Sequence, residues 1–104
     1  LLAAFQGGMG MAPSASWAPH HPYRCSALFE PVHGSAPDIA GRDMANPLGM
    51  FLSTALFFRR AGWEAEAGAV ERAVSTLLSE GNATADLGGS MPCRELQGRL
   101  LAQL

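Results

Sequence analysis

Between Leu48 and Arg60 the chain is apolar almost without interruption, and Met50, Phe51, Leu52, Ala55, Leu56, Phe57 and Phe58 leave next to no polar face. A helix that is hydrophobic nearly all round is a buried one. Asn46-Pro47 marks its start, because asparagine is a favoured N-cap and proline at the first helical position loses no needed hydrogen bond. A second helix is predicted over 64–80, where Val70, Ala73, Val74, Leu77 and Leu78 recur at helical spacing while Glu64, Glu66, Glu71, Arg72 and Glu80 take the wetter side. Glu64 and Glu66 suit its positive end, and Gly81-Asn82 stops it. Ser90 can cap a last helix with Pro92 in its first turn and Leu96, Leu100, Leu101 and Leu104 on one stripe.

The first part of the chain is less regular. Residues 1–5 read as the tail of a helix that Gly7, Gly8 and Gly10 bring to an end. Gly8-Met9-Gly10 invites comparison with a dinucleotide GxGxxG turn, but Pro13 stands where the last glycine belongs and no strand precedes it, so that match fails. Ser14-Ala15-Ser16 is expected to be loop or a short turn. Residues 17–26, with Pro19, Pro22 and the pair His20-His21, are expected to form a surface loop rather than a metal site, since no carboxylate lies nearby in sequence to complete one. Residues 27–29 read as a short buried strand.

Between that strand and the apolar helix lies Glu30-Pro31-Val32-His33-Gly34-Ser35-Ala36-Pro37-Asp38-Ile39-Ala40-Gly41, then Arg42-Asp43-Met44-Ala45-Asn46-Pro47. Small residues and short polar groups crowd this segment, as in a loop that binds something. Gly34 and Gly41 permit close backbone approach, and Pro31 and Pro37 restrict how the loop can fold up. Ser35, Asp38 and Asn46 bring hydrogen-bonding side chains, His33 a flat ring with two nitrogens, and Ile39 an apolar surface. An ionised Asp accepts from a pair of ribose hydroxyls and repels a phosphate at the same point. The chemistry suits a nucleoside better than a phosphate cluster; a plain Gly/Pro connection is the alternative.

Composition narrows the function further. With 104 residues, 48% of them hydrophobic, there is room for one small domain or part of a larger one, and a packed core is expected. Twelve Gly and seven Pro mean that much of the chain is loop. A formal charge of −2 with no block of like charges argues against nucleic acid or a membrane surface as partner. Cys25 and Cys93 have no CxxC spacing, so reduced thiols in a cytoplasmic protein are expected. No run reaches transmembrane length.

The loop, together with Gly7-Gly8-Met9-Gly10-Met11-Ala12-Pro13-Ser14-Ala15-Ser16 upstream and Asp86-Leu87-Gly88-Gly89 downstream, resembles the β-decarboxylating isocitrate/isopropylmalate dehydrogenase family, its isopropylmalate branch above all. The resemblance implies an α/β fold of which this chain is a C-terminal, mostly helical part with one or two short strands. It implies NAD-dependent oxidative decarboxylation of a 2-hydroxy acid, 3-isopropylmalate being favoured over tartrate, D-malate, homoisocitrate or isocitrate. The chain would supply the adenosine part of the NAD site. His33 would lie beside the adenine, Gly34, Ser35 and Ala36 would line it, Ile39 would cover its apolar face and Asn46 would bond its edge. Asp38 would hold the ribose hydroxyls. Ala45 would belong to the same adenosine-binding loop, Asp86 would fix the loop or merely satisfy local backbone N–H groups, and Glu30 would face the nicotinamide side or be a plain structural acid.

No catalytic residue is expected in this chain. It has no lysine, and its only tyrosine, Tyr23, sits in the Pro/His-rich segment. The family's lysine, tyrosine, arginines and the aspartates that hold Mg or Mn are expected before Leu1, and a homodimer is expected of the complete enzyme. A reading of a different class is a small helical interaction module that binds no cofactor.

Overall fold

A computed structural model describes residues 8–18 and 27–104. Within them lie β1 (Pro13–Trp17), β2 (Ala27–Pro31), α1 (Leu48–Arg60), α2 (Glu64–Ser79), a 3-10 turn (Ala85–Leu87) and α3 (Cys93–Leu101). The two strands pair antiparallel in register from Pro13 opposite Pro31 to Trp17 opposite Ala27. The expected helix tail over 1–5, the His20-His21 segment and Cys25 lie outside the described residues.

α1 is the hub. One side of it packs on α2 and another on both strands, while α2 in turn meets α3. The main core gathers Met11, Leu48, Ala73, Val74, Leu77, Leu96 and Leu100, and a second cluster of Ala55, Ala67 and Val70 is joined to it through Phe51. Leu48, Leu96 and Leu100 are fully buried and Leu77 nearly so. Each such side chain contributes about 1.5–3 kcal/mol of transfer free energy relative to exposure. The α2 stripe is therefore the one its spacing predicts. Gly81, at φ +83, closes this helix in the left-handed region, with its N–H on the Leu78 carbonyl at 3.0 Å.

Three local expectations change. Ser14-Ala15-Ser16 is strand rather than loop: its small side chains carry no β signal, and the pairing comes from β2, with Ser14 Oγ donating to the Glu30 carbonyl at 2.6 Å. The β2 strand runs on to Pro31 and is not buried: Leu28 is 55% exposed, and Phe29 is half-buried edge-on to Phe57 at 5.6 Å. A two-stranded ribbon has one face to lay on a helix and one left over. The apolar rod is likewise only partly covered, with Met50 54% and Phe57 43% exposed among the described residues.

The last helix also begins later than Ser90. α3 starts at Cys93 behind an extended Pro92, without a side-chain cap from its own end. Leu96 and Leu100 are in the core, whereas Leu101 and Leu104 are exposed.

Candidate functional site

Val32 N–H bonds the Ala12 carbonyl at 3.0 Å, and from there the chain leaves the sheet as an exposed loop that ends at the buried Asn46. Two tight turns shape it, with Ile39 N–H on the Ala36 carbonyl and Arg42 N–H on the Ile39 carbonyl, each at 3.1 Å. Ala36 at φ +44, Gly41 at φ +76 and Asp43 at φ +57 all lie in the left-handed region. Glycine takes that conformation freely and aspartate at modest cost, but alanine does so rarely. Near the tip, His33 Nδ1–H donates to the Gly34 carbonyl at 2.9 Å, so a neutral ring keeps an acceptor at Nε2.

The far end of the loop is tied down. Asn46 Oδ1 accepts the Leu48 N–H at 2.9 Å, the cap that the Asn-Pro pair predicts, with Pro47 already in the right-handed helical region. The Asn46 amide donates to Asp86 Oδ2 at 3.0 Å, and Thr84 Oγ1 donates to the other carboxylate oxygen. A buried threonine and a buried asparagine thus orient Asp86 from both sides. Gly10 fits against this pair: a Cβ there would lie 2.5 Å from Asp86 Oδ2 and 3.0 Å from Asn46 Cβ. The Gly10 carbonyl also accepts the Gly49 N–H of α1 at 2.9 Å.

A second tie runs to α3. Asp43 accepts the Cys93 N–H on its backbone carbonyl at 2.8 Å and the Arg94 N–H on its side-chain Oδ1 at 3.0 Å. Burial pushes the Cys93 thiol above the ordinary cysteine range, and the Asp43 carboxylate beside it pushes the same way against the Arg94 cation. Away from the site, the Arg59 guanidinium is held further in its charged form, chiefly by the Glu71 carboxylate that it bonds. That exposed cluster pins α1 to α2 but adds little stability.

The loop, the α1 entry, the 3-10 turn and α3 border an open cavity of about 540 Å³. His33, Gly34, Ser35, Ala36, Ile39, Ala45, Asn46 and Asp86 all line it. The volume is within the ordinary range for a small-molecule site, about 300–1,000 Å³. Asp38 and Glu30 are not in the wall; both are exposed, Asp38 on the loop between Ala36 and Ile39, and Glu30 on β2. Asp86 fixes the loop through Asn46 and also lines the cavity.

Gly10, Ala40, Gly41, Asp43, Met44, Cys93, Arg94 and Gln97, none of them among the expected site residues, complete the wall. Residues 40–44 belong to the same loop and Gly10 to the glycine-rich stretch, whereas nothing in their neighbourhood marks Cys93, Arg94 or Gln97. No local pattern announces that a helix some fifty residues further on closes the cavity. Among the described residues, no group of three or more His, Cys, Asp or Glu side chains converges to hold a metal ion. Nor is any described helix long and apolar enough to cross a membrane.

Residues 1–100 match the family model described as isocitrate/isopropylmalate dehydrogenase. A 3-isopropylmalate dehydrogenase of Anaeromyxobacter dehalogenans is 50% identical over 99 residues, 94% of this chain and 27% of that protein. A regulatory subunit of mitochondrial NAD isocitrate dehydrogenase from Dictyostelium discoideum is 41% identical over the whole chain and 28% of its own length. The crystal structure of isocitrate dehydrogenase from Methylococcus capsulatus superposes with a TM-score of 0.87 at 32% identity, over 97% of this chain and 29% of that one. The chain therefore spans less than a third of the length of these relatives. By sequence and by fold alike, it belongs to the isocitrate/isopropylmalate dehydrogenase family.

Proposed function

We propose that the cavity receives the adenosine half of NAD. The complete subunit carrying this chain then oxidises a 2-hydroxy acid, 3-isopropylmalate, and releases carbon dioxide from the resulting β-keto acid. The observation that carries this reading is the meeting of residues 33–36, Ile39, Ala45, Asn46 and Asp86 around a single cavity. The family membership and the 50% identity to a 3-isopropylmalate dehydrogenase support the reaction and the substrate.

The residues fit an adenosine. His33 and the small residues Gly34, Ser35 and Ala36 leave room for a flat base and offer it backbone groups, and Ile39 gives it an apolar contact. The Asn46 side chain is bonded at both ends by Leu48 and Asp86, so its backbone and its remaining amide hydrogen are what it can offer an adenine edge. Asp38, exposed on the loop, accepts from the ribose hydroxyls and disfavours a 2′-phosphate. NAD supplies the hydride acceptor when bound. Among the described residues no group of three or more His, Cys, Asp or Glu side chains converges to hold the Mg or Mn proposed for the complete subunit, and the part proposed for this chain is binding and orientation.

Titration of the complete subunit with both dinucleotides, before and after Asp38→Ala, tests the reading. Tighter binding of NAD than NADP is expected, with Asp38→Ala weakening NAD about tenfold and narrowing the preference. NADP binding tighter than NAD in the unsubstituted subunit, or unchanged NAD affinity in the variant, would overturn it. The 41% identity to a regulatory subunit of an isocitrate dehydrogenase favours one second reading, a non-catalytic partner that keeps the loop. Absence of turnover when the complete subunit is assayed by itself, restored by a catalytic subunit, would identify that case.

A further inference from the structure

We infer that Asp43 is a positioning residue, which caps α3 from across the fold and thereby sets the wall against which a dinucleotide is held. The part of this that concerns the dinucleotide rests on the function proposed above. The first N–H groups of any helix lack partners inside the helix. α3 begins behind Pro92 with no side-chain cap of its own. Asp43, 51 residues away from Arg94, supplies both acceptors: its carbonyl for Cys93 and its carboxylate for Arg94. A carboxylate at the positive end of a helix is also well placed electrostatically.

Residue type is doubly constrained here. The backbone at Asp43 is at φ +57, which asparagine, aspartate and glycine tolerate better than other residues. The side chain must at the same time accept a hydrogen bond, which excludes glycine. Asp43, Cys93 and Arg94 all line the cavity, so one residue fixes the wall on two elements that are remote in sequence. The tie at Asn46 and Asp86 holds the loop to α1 and the 3-10 turn; among the described residues, it is Asp43 that bonds it to α3.

Two substitutions in the complete subunit separate this role from simple helix stability. Asp43→Gly keeps the left-handed backbone and the carbonyl acceptor but removes the carboxylate, whereas Asp43→Asn keeps an oxygen acceptor as well. Each is read by amide hydrogen exchange at Arg94 and over residues 42–46 without ligand, and by the steady-state KM for NAD and kcat. Asp43→Gly should speed exchange at Arg94 and raise the KM for NAD about tenfold with kcat nearly unchanged, and Asp43→Asn should match the unsubstituted subunit.

The proposal is overturned if Asp43→Gly leaves exchange at Arg94 unchanged. It is overturned equally if exchange quickens while the KM for NAD stays the same, or if Asp43→Asn is as loose as Asp43→Gly. A protein that binds no NAD even unsubstituted would defeat the proposed function while the exchange rates still decide whether Asp43 ties the loop to α3.

Discussion

Residues 33–40 and residues 43–46 belong to one loop and line one cavity, but they are held in different ways. The first stretch is almost wholly exposed and, among the described residues, its bonds are local, His33 to the next residue, Ile39 to Ala36 three residues back and Arg42 to Ile39. The second reaches across the fold, from Asn46 to Asp86 40 residues on and from Asp43 to Arg94 51 residues on. Local bonds between exposed groups open easily, whereas Asn46, buried with Leu48 and Thr84, holds bonds that open only with the core. The loop therefore has an adaptable tip on a preformed base. A ligand that fits it meets one wall already in place and orders the other.

Breaking the base should have the largest effect. Asn46→Ala removes the Leu48 cap and the donor to Asp86 together, and should lower stability by about 2–4 kcal/mol in urea denaturation. A loss below about 0.5 kcal/mol would mean that the base is no better held than the tip. Gly10→Ala attacks the same pair by overfilling. Its methyl would sit 2.5 Å from Asp86 Oδ2, so a loss of about 1–3 kcal/mol is expected from the thermal midpoint.

At the tip the balance reverses. His33→Ala or Ser35→Ala should change stability by no more than about 0.5 kcal/mol, because both side chains are exposed. Calorimetric titration should nevertheless show NAD affinity falling severalfold in each. Equal damage to stability at tip and base would erase the distinction. The smallest effect is expected at Cys93, whose thiol is raised by burial and by Asp43. In a Cys25→Ser background its alkylation should be slower than that of a free thiol at neutral pH and should rise with pH as the thiolate forms. Bound NAD should slow it further, since Cys93 lines the cavity.

The features legible in the sequence are those written in neighbouring residues. Asn46-Pro47 announces a helix start, and the spacing of Val70, Ala73, Val74 and Leu77 gives the buried face of α2. Eight of the ten residues assigned to the binding site line the cavity, since most of them sit in one continuous loop. The rest depends on pairing that no local pattern encodes. β1 is a Ser-Ala-Ser stretch that becomes strand only through β2. Asp43 looks like any loop aspartate until α3 is placed above it, and Gly10 matters because of a pair whose members lie far beyond it in the chain. Asp38, chosen for its chemistry, is exposed on the loop between the wall residues Ala36 and Ile39.

Amide hydrogen exchange on the complete subunit, with and without saturating NAD, tests most directly whether this loop grips the dinucleotide. The account predicts that Leu48, Cys93 and Arg94, whose N–H groups donate to Asn46 and Asp43, exchange slowly in both states and that residues 33–40 pass from fast to slow when NAD is added. Fast exchange at residues 33–40 that persists under saturating NAD would contradict it.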